Sequence, residues 1–97
     1  MTTTVADVVD AVERLWPASG AEGWDAVGLI AGEPGAPVRS IRLAVDAVLD
    51  TVDEAIASDA DMLIVHHPLL LRGVTSIAAD RYKGAVLTRL IRADCAL

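Results

Sequence analysis

Two short apolar runs, Ile41-Arg42-Leu43-Ala44-Val45 and Met62-Leu63-Ile64-Val65, frame a stretch that reads as one helix. In that stretch Thr51 and Glu54 stand in capping-box register, with Asp50 or Thr51 as the cap and the helix running to about Ser58. Strand, helix and strand at this spacing make a βαβ unit, because parallel strands need a crossover of about a dozen residues or more. Its hand is almost always right. If the two strands are neighbours, their C-terminal ends meet on one edge of the sheet, where open α/β sheets bind ligands. Asp46 closes the first strand there, and His66-His67-Pro68 closes the second.

These are the only two histidines in the chain. Imidazole is the commonest metal ligand and titrates near neutral pH. A single histidine is more often a hydrogen-bonded core residue, but two in succession at a strand end favour metal or catalytic use. Consecutive strand residues face opposite ways, so the pair serves one centre only if the backbone turns. Pro68 makes a turn natural, since it removes a ladder donor and restricts the residue before it. Otherwise each imidazole takes a different metal of a pair. Three roles stand open for Asp46: ligand, partner orienting an imidazole, or turn residue. Asp25 either approaches the site or caps a loop, while Asp59 and Asp61 read as helix-exit and turn residues at the far end of the strands.

The remaining segments read as follows. Val5, Val8, Val9, Val12 and Leu15 recur with helical spacing, with Thr4 and Asp7 as a capping box and Pro17 and Gly20 as stops. Trp24 to Gly32 reads as a short apolar strand, and residues 33–37 as a loop. A further helix, capped by Asp80, should place Tyr82, Val86, Leu90 and Ile91 on one side, and Cys95-Ala96-Leu97 should begin another strand. No repeat or internal boundary interrupts residues 1–97, which read as a single α/β domain: a βαβ-containing sheet flanked by helices.

Composition narrows the function classes. The net charge of −6 argues against direct nucleic-acid binding, which usually shows a basic face. The C-terminal third is nevertheless basic. Arg81, Lys83, Arg89 and Arg92 read as the solvated face of the last helix, ahead of a positive site for an anion. No apolar stretch approaches the roughly 18 to 20 residues that span a bilayer, and the N-terminus lacks signal-peptide features. The lone Cys95 cannot form an internal disulfide. A soluble cytoplasmic protein is the expectation. Gly28 and Gly32 form no dinucleotide fingerprint, and no GxxxxGK phosphate loop exists. Gly73-Val74-Thr75-Ser76 is a weak hint of anion binding, and Ser76 lacks a nucleophile-elbow context.

Several segments resemble one known family. Trp24-Asp25-Ala26-Val27-Gly28-Leu29 is similar to its WDNVGL signature. Asp59 to Leu69 resembles its GADLIIAHHPL segment, and Thr75-Ser76-Ile77 and Tyr82-Lys83-Gly84 resemble its TSI and YKG stretches. This is the Ngg-one-interacting-factor-three-like family, often labelled type-two GTP cyclohydrolase I. Ala26 departs from the usual Asn and Asp59 from the usual Gly. The resemblance implies a dinuclear metal centre in an α/β protein that forms toroidal homo-oligomers, with His66 and His67 as metal ligands. It implies that further ligands, an Asp and a His/Glu pair, lie beyond Leu97, so that residues 1–97 would be the N-terminal part of a larger layered α/β domain. The divalent metal, expected as two ions, would be zinc, iron, nickel, cobalt or manganese. The function expected is a metal-dependent hydrolase acting on GTP or a related nucleotide-like anion, with no catalytic residue assigned. The alternatives are a non-catalytic metal-binding oligomeric scaffold or metal-handling protein and, third, a purely structural interaction module.

Overall fold

The computed structural model describes residues 2–97. Helix α1 (Val5–Leu15) starts at Thr4, whose hydroxyl accepts from the Asp7 N–H (3.3 Å) while the Asp7 carboxylate accepts from the Thr4 N–H (2.9 Å). The capping box is therefore closed from both sides, with Asp standing where Glu is usual. Strand β1 (Ile41–Ala44), helix α2 (Leu49–Ala57) and strand β2 (Met62–Val65) form the expected βαβ unit, and helix α3 is Tyr82–Arg92. β1 and β2 are parallel neighbours in the register Ile41↔Met62 to Ala44↔Val65.

The sheet continues beyond β2. Ala96 makes a parallel bridge with Met62, so Cys95–Leu97 follows the strand direction expected of it. On its far side Leu97 exchanges backbone hydrogen bonds with Ala31: the Leu97 N–H donates to Ala31 O (2.9 Å) and the Ile30 N–H donates to Leu97 O (2.8 Å). The expected strand over Trp24–Gly32 does not form. Only Ile30 and Ala31 reach the sheet, and Gly28 and Gly32 take φ of +127° and +124°, outside extended backbone. Gly32 lies against Ala96 so closely that a Cβ there would sit 2.7 Å from the Ala96 Cβ.

Alternation along β2 divides the core. Leu63 and Val65 pack with Val52, Ala55, Val86, Leu87 and Leu90 of α2 and α3. Met62 and Ile64 pack with Val5, Val8, Val9 and Val12 of α1. The result is an α/β/α layering with helices on both sides of a parallel sheet. On α3 the buried side is Val86, Leu87 and Leu90, whereas Ile91 and Tyr82 are exposed, which corrects the expected stripe. Asp80 does not cap this helix. Arg81 occupies the cap position without a side-chain hydrogen bond.

Thr51 also differs from its expected role. It is the third helical residue, and its hydroxyl accepts from the Val48 N–H (3.1 Å) at the true cap.

α2 and α3 end alike. The Ala60 N–H donates to Ala55 O and the Asp59 N–H to Ile56 O. In α3 the Cys95 N–H donates to Leu90 O and the Asp94 N–H to Ile91 O. This bond pair is the Schellman motif, which needs a left-handed residue just past the helix. Asp59 (φ 56°) and Asp94 (φ 53°) supply it without glycine. Asp61 stands at the same end of the sheet, its carboxylate accepting from the Arg39 (2.8 Å) and Ser40 (3.2 Å) N–H groups. The reading of Asp59 and Asp61 as helix-exit and turn residues holds.

Candidate metal centre

At the opposite edge the ladder outlasts β2 by two residues. The His66 N–H donates to Ala44 O (3.2 Å), as a regular parallel ladder requires, but the next amide, of His67, donates to the same side, at Val45 O just past β1 (2.9 Å). In an undisturbed strand successive amides point to opposite neighbours. Two in a row directed at one strand mean that the backbone bends between His66 and His67. Their ring centres are 5.0 Å apart, nearly edge-on at 66°.

Asp46 reaches the second imidazole. Its Oδ1 lies 2.7 Å from His67 Nδ1, across 21 residues of sequence. With Nδ1–H donating to the carboxylate, the Nε2 lone pair of His67 faces outward as an available ligand, the arrangement in which a carboxylate fixes tautomer and ring orientation. The His66 ring makes no side-chain hydrogen bond among the described residues. Both histidines are exposed, so neither is a satisfied core residue. The His67 and Asp46 side chains retain 59% and 55% of their exposure. An ion pair that wet contributes little to stability, so the pair's significance is directional.

Two hydroxyls hold the Asp46 turn, neither of them expected in this role. The Thr51 hydroxyl donates to Asp46 O (2.7 Å) and the Tyr82 hydroxyl, from α3, to Ala47 O (2.7 Å). The available signals were slight: a threonine in the first helical turn, and the only tyrosine of the chain.

Other expected residues lie elsewhere. Asp25 accepts from the Ala26 N–H (2.8 Å) and so closes its own loop. It also lines a cleft of about 350 Å³ between α1 and the sheet, with Trp16, Val27 and Ile64. The Ser76 hydroxyl accepts from the Ala78 N–H (3.2 Å) within its own turn. Arg89 pairs with Asp53 of α2. Cys95 is buried, as expected of a small apolar side chain. Burial pushes its thiol pKa up, and the Asp61 carboxylate adds to the shift.

Two imidazoles, one oriented by a carboxylate, suit a borderline transition metal. Their ring spacing is close to the roughly 5 Å expected for two imidazoles on one tetrahedral cation with N–metal bonds of about 2.0–2.1 Å. No cluster of three or more His, Cys, Asp or Glu side chains able to hold a metal occurs among the described residues. The donor set is thus the right kind but short of the three or four protein ligands such sites use.

No helix among the described residues is long and apolar enough to cross a membrane. Residues 3–97 match the family model described as Duf34/NIF3 (NGG1p interacting factor 3). A Streptomyces coelicolor protein named GTP cyclohydrolase 1 type 2 homolog is 50% identical over 93 residues, which are 96% of this chain and 33% of that protein. A Mycobacterium tuberculosis protein of the same name is 46% identical over 92 residues, 95% of this chain and 24% of its own. The crystal structure of Staphylococcus aureus hypothetical protein SA1388 superimposes with a TM-score of 0.94 at 36% identity, covering 100% of this chain and 28% of that one. The chain therefore spans about a quarter to a third of the length of these relatives. Reduced HcgD from Methanocaldococcus jannaschii, at 22% identity and a TM-score of 0.90, shares the fold.

Proposed function

The chain belongs to the Duf34/NIF3 family, and on that premise we propose that His66 and His67 are ligands of a divalent transition-metal centre, dinuclear in its complete form, that serves a hydrolase acting on GTP or a related nucleotide-like anion. The observation that carries the reading is the 2.7 Å contact between His67 Nδ1 and Asp46 at the C-terminal edge of a parallel sheet, with the His66 ring 5.0 Å away. The name shared by the curated relatives, GTP cyclohydrolase 1 type 2 homolog, supports the substrate class.

Each residue has a distinct task. His67 offers Nε2, and Asp46 holds the Nδ1 proton and keeps the ring from rotating. Thr51 and Tyr82 keep Asp46 in place through the backbone carbonyls of residues 46 and 47. His66 supplies the second imidazole from the far side of the bend. When bound, the cations supply Lewis acidity toward phosphate or carbonyl oxygens. The remaining ligands, the toroidal homo-oligomer and a cytoplasmic location belong to the same proposal.

The test loads the complete protein separately with zinc, manganese and iron(II) and measures bound metal for wild type, His66→Ala and His67→Ala. Both side chains are exposed, so the variants should keep the fold, which circular dichroism checks. Metal uptake lost in the variants is expected, and equal content in all three overturns the site. In the metal-loaded protein, turnover of GTP above the metal-only blank supports the hydrolase. Uptake without turnover of any nucleotide selects the metal-binding scaffold instead.

A further inference from the structure

The sequence puts Arg81, Lys83, Arg89 and Arg92 together on the solvated face of the last helix. The structure separates one of them from the rest. Arg81, Arg89 and Arg92 are exposed, whereas Lys83 is partly buried. Helical spacing gives the reason. Val86, Leu87 and Leu90, the buried stripe of α3, stand at i+3, i+4 and i+7 from Lys83. Lys83 therefore opens the core-facing stripe in the first turn of the helix.

That turn lies at the histidine edge, because α3 runs opposite to β2. It begins where the Tyr82 hydroxyl donates to Ala47 O (2.7 Å), next to the Asp46 carboxylate that holds His67. It ends where the Ala96 N–H donates to Asp61 O (2.9 Å), just before β2 starts. Helical side chains tilt toward the N-terminus of their helix, so the Lys83 stem leaves the core toward the edge that carries His66 and His67. The helix start is held on both sides of it. Tyr82 ties it to Ala47, and Gly84 lets the Ile77 and Ala78 carbonyls pack against it. Among the described residues, the carboxylates that form ion pairs do so with His67 and Arg89, and none pairs with Lys83.

Charges withdrawn from water are normally paired. A lysine can also lay its stem on apolar surface and leave its head in water, but position argues for a ligand. The head emerges at the edge where parallel α/β sheets bind ligands. The chain as a whole carries a net charge of −6 and repels anions, so an anion held at this edge needs a local cation.

We propose that Lys83 binds a phosphoryl group of the anionic substrate beside the two histidines. An ammonium carries three donors and meets phosphate as a point charge. The inference rests on the anionic substrate class of the proposed function and adds the residue that holds the anion. It also orients the substrate, with its phosphate on the α3 side of the histidines.

The test uses the complete protein as wild type, Lys83→Met, Lys83→Gln and Lys83→Arg. Inorganic pyrophosphate is titrated calorimetrically into each, once metal-free and once zinc-loaded, and zinc content is measured separately. Methionine and glutamine keep most of the stem, so the urea midpoint should stay close to that of wild type. Wild type should bind pyrophosphate. Both neutral variants should bind it at least about tenfold more weakly, and Lys83→Arg should stay within about threefold of wild type. Added salt should weaken binding more in wild type than in the neutral variants. Absence of pyrophosphate binding by wild type overturns the proposal. So does equal binding by wild type and a folded neutral variant, the result expected of a stem that only covers the core. The metal reading stands or falls on zinc content, and the metal-free titration decides Lys83 whichever way that goes.

Discussion

Replacing Gly84 by alanine sets two effects of opposite sign against each other. Gly84 lies in the first turn of α3, where alanine is intrinsically the better helix former by up to about 1 kcal/mol. Propensity alone therefore predicts a more stable protein. The structure predicts the reverse. A Cβ built on Gly84 stands 2.5 Å from the Ile77 carbonyl oxygen and closer still to that of Ala78. Carbon–oxygen contacts are comfortable at about 3.3 Å or more, so the gap is short by roughly 0.8 Å at one oxygen and by more at the other. Both obstacles are backbone, which cannot rotate aside. Either the 77–78 segment or the start of the helix must move, and overpacking of this kind costs about 1–3 kcal/mol. Taking the upper end, because two carbonyls are struck, and subtracting the propensity gain leaves a loss of about 2 kcal/mol. In a chain of this length that lowers Tm by about 8–16 °C. Thermal and urea unfolding followed by circular dichroism measure it, with Gly73→Ala as control, since a Cβ there meets nothing within 4 Å. A Gly84→Ala protein as stable as wild type, or more so, would refute the reasoning.

Three other outcomes follow from the same structure. Asp46→Asn should weaken zinc binding about 10- to 100-fold while leaving the urea midpoint nearly unchanged, since the pair it breaks is more than half exposed. Equal affinity in a zinc titration would remove Asp46 from the site. Asp59→Gly and Asp94→Gly should each stabilise the chain by about 0.5–1 kcal/mol, because each relieves a left-handed residue and a negative charge at a helix C-terminus. A drop in Tm for both would contradict the Schellman reading. The Cys95 thiol, its pKa raised mainly by burial, favours the folded state while the unfolded thiol is also protonated, below about pH 8.5. That contribution is lost as pH rises from there through the folded pKa, so the urea midpoint should fall more steeply in mild alkali for wild type than for Cys95→Ala. Parallel pH profiles would be the contrary result.

The βαβ unit was legible because its signals were local and redundant: apolar runs of strand length, a crossover of sufficient length and a helix between them. The site edge followed, since parallel strands necessarily bring Asp46 and the histidines to one end. Periodicity failed at Trp24–Gly32. There an apolar run lies largely outside the sheet, its two glycines take positive φ, and only Ile30 and Ala31 find a partner, far along the chain at Leu97. Asp80 looked like a cap because its residue type favours caps, but the helix begins one residue later than its reach allows. Tyr82 and Thr51 could not be assigned to the site in advance, because their roles depend on carbonyl positions set by tertiary packing. Pro68 signalled the bend at the histidines, and their reading as ligands came from the family resemblance rather than from any periodicity.

The paired amide bonds from His66 and His67 to Ala44 and Val45 have a thermodynamic consequence. Ordering a loop residue into one backbone conformation costs about 1–2 kcal/mol, and here that ordering is complete before any ligand arrives. Association at this edge should therefore show a small entropic penalty and little change in amide exchange at residues 66 and 67. Its discrimination among cations would come from a rigid spacing between donors rather than from a loop that adapts to each radius.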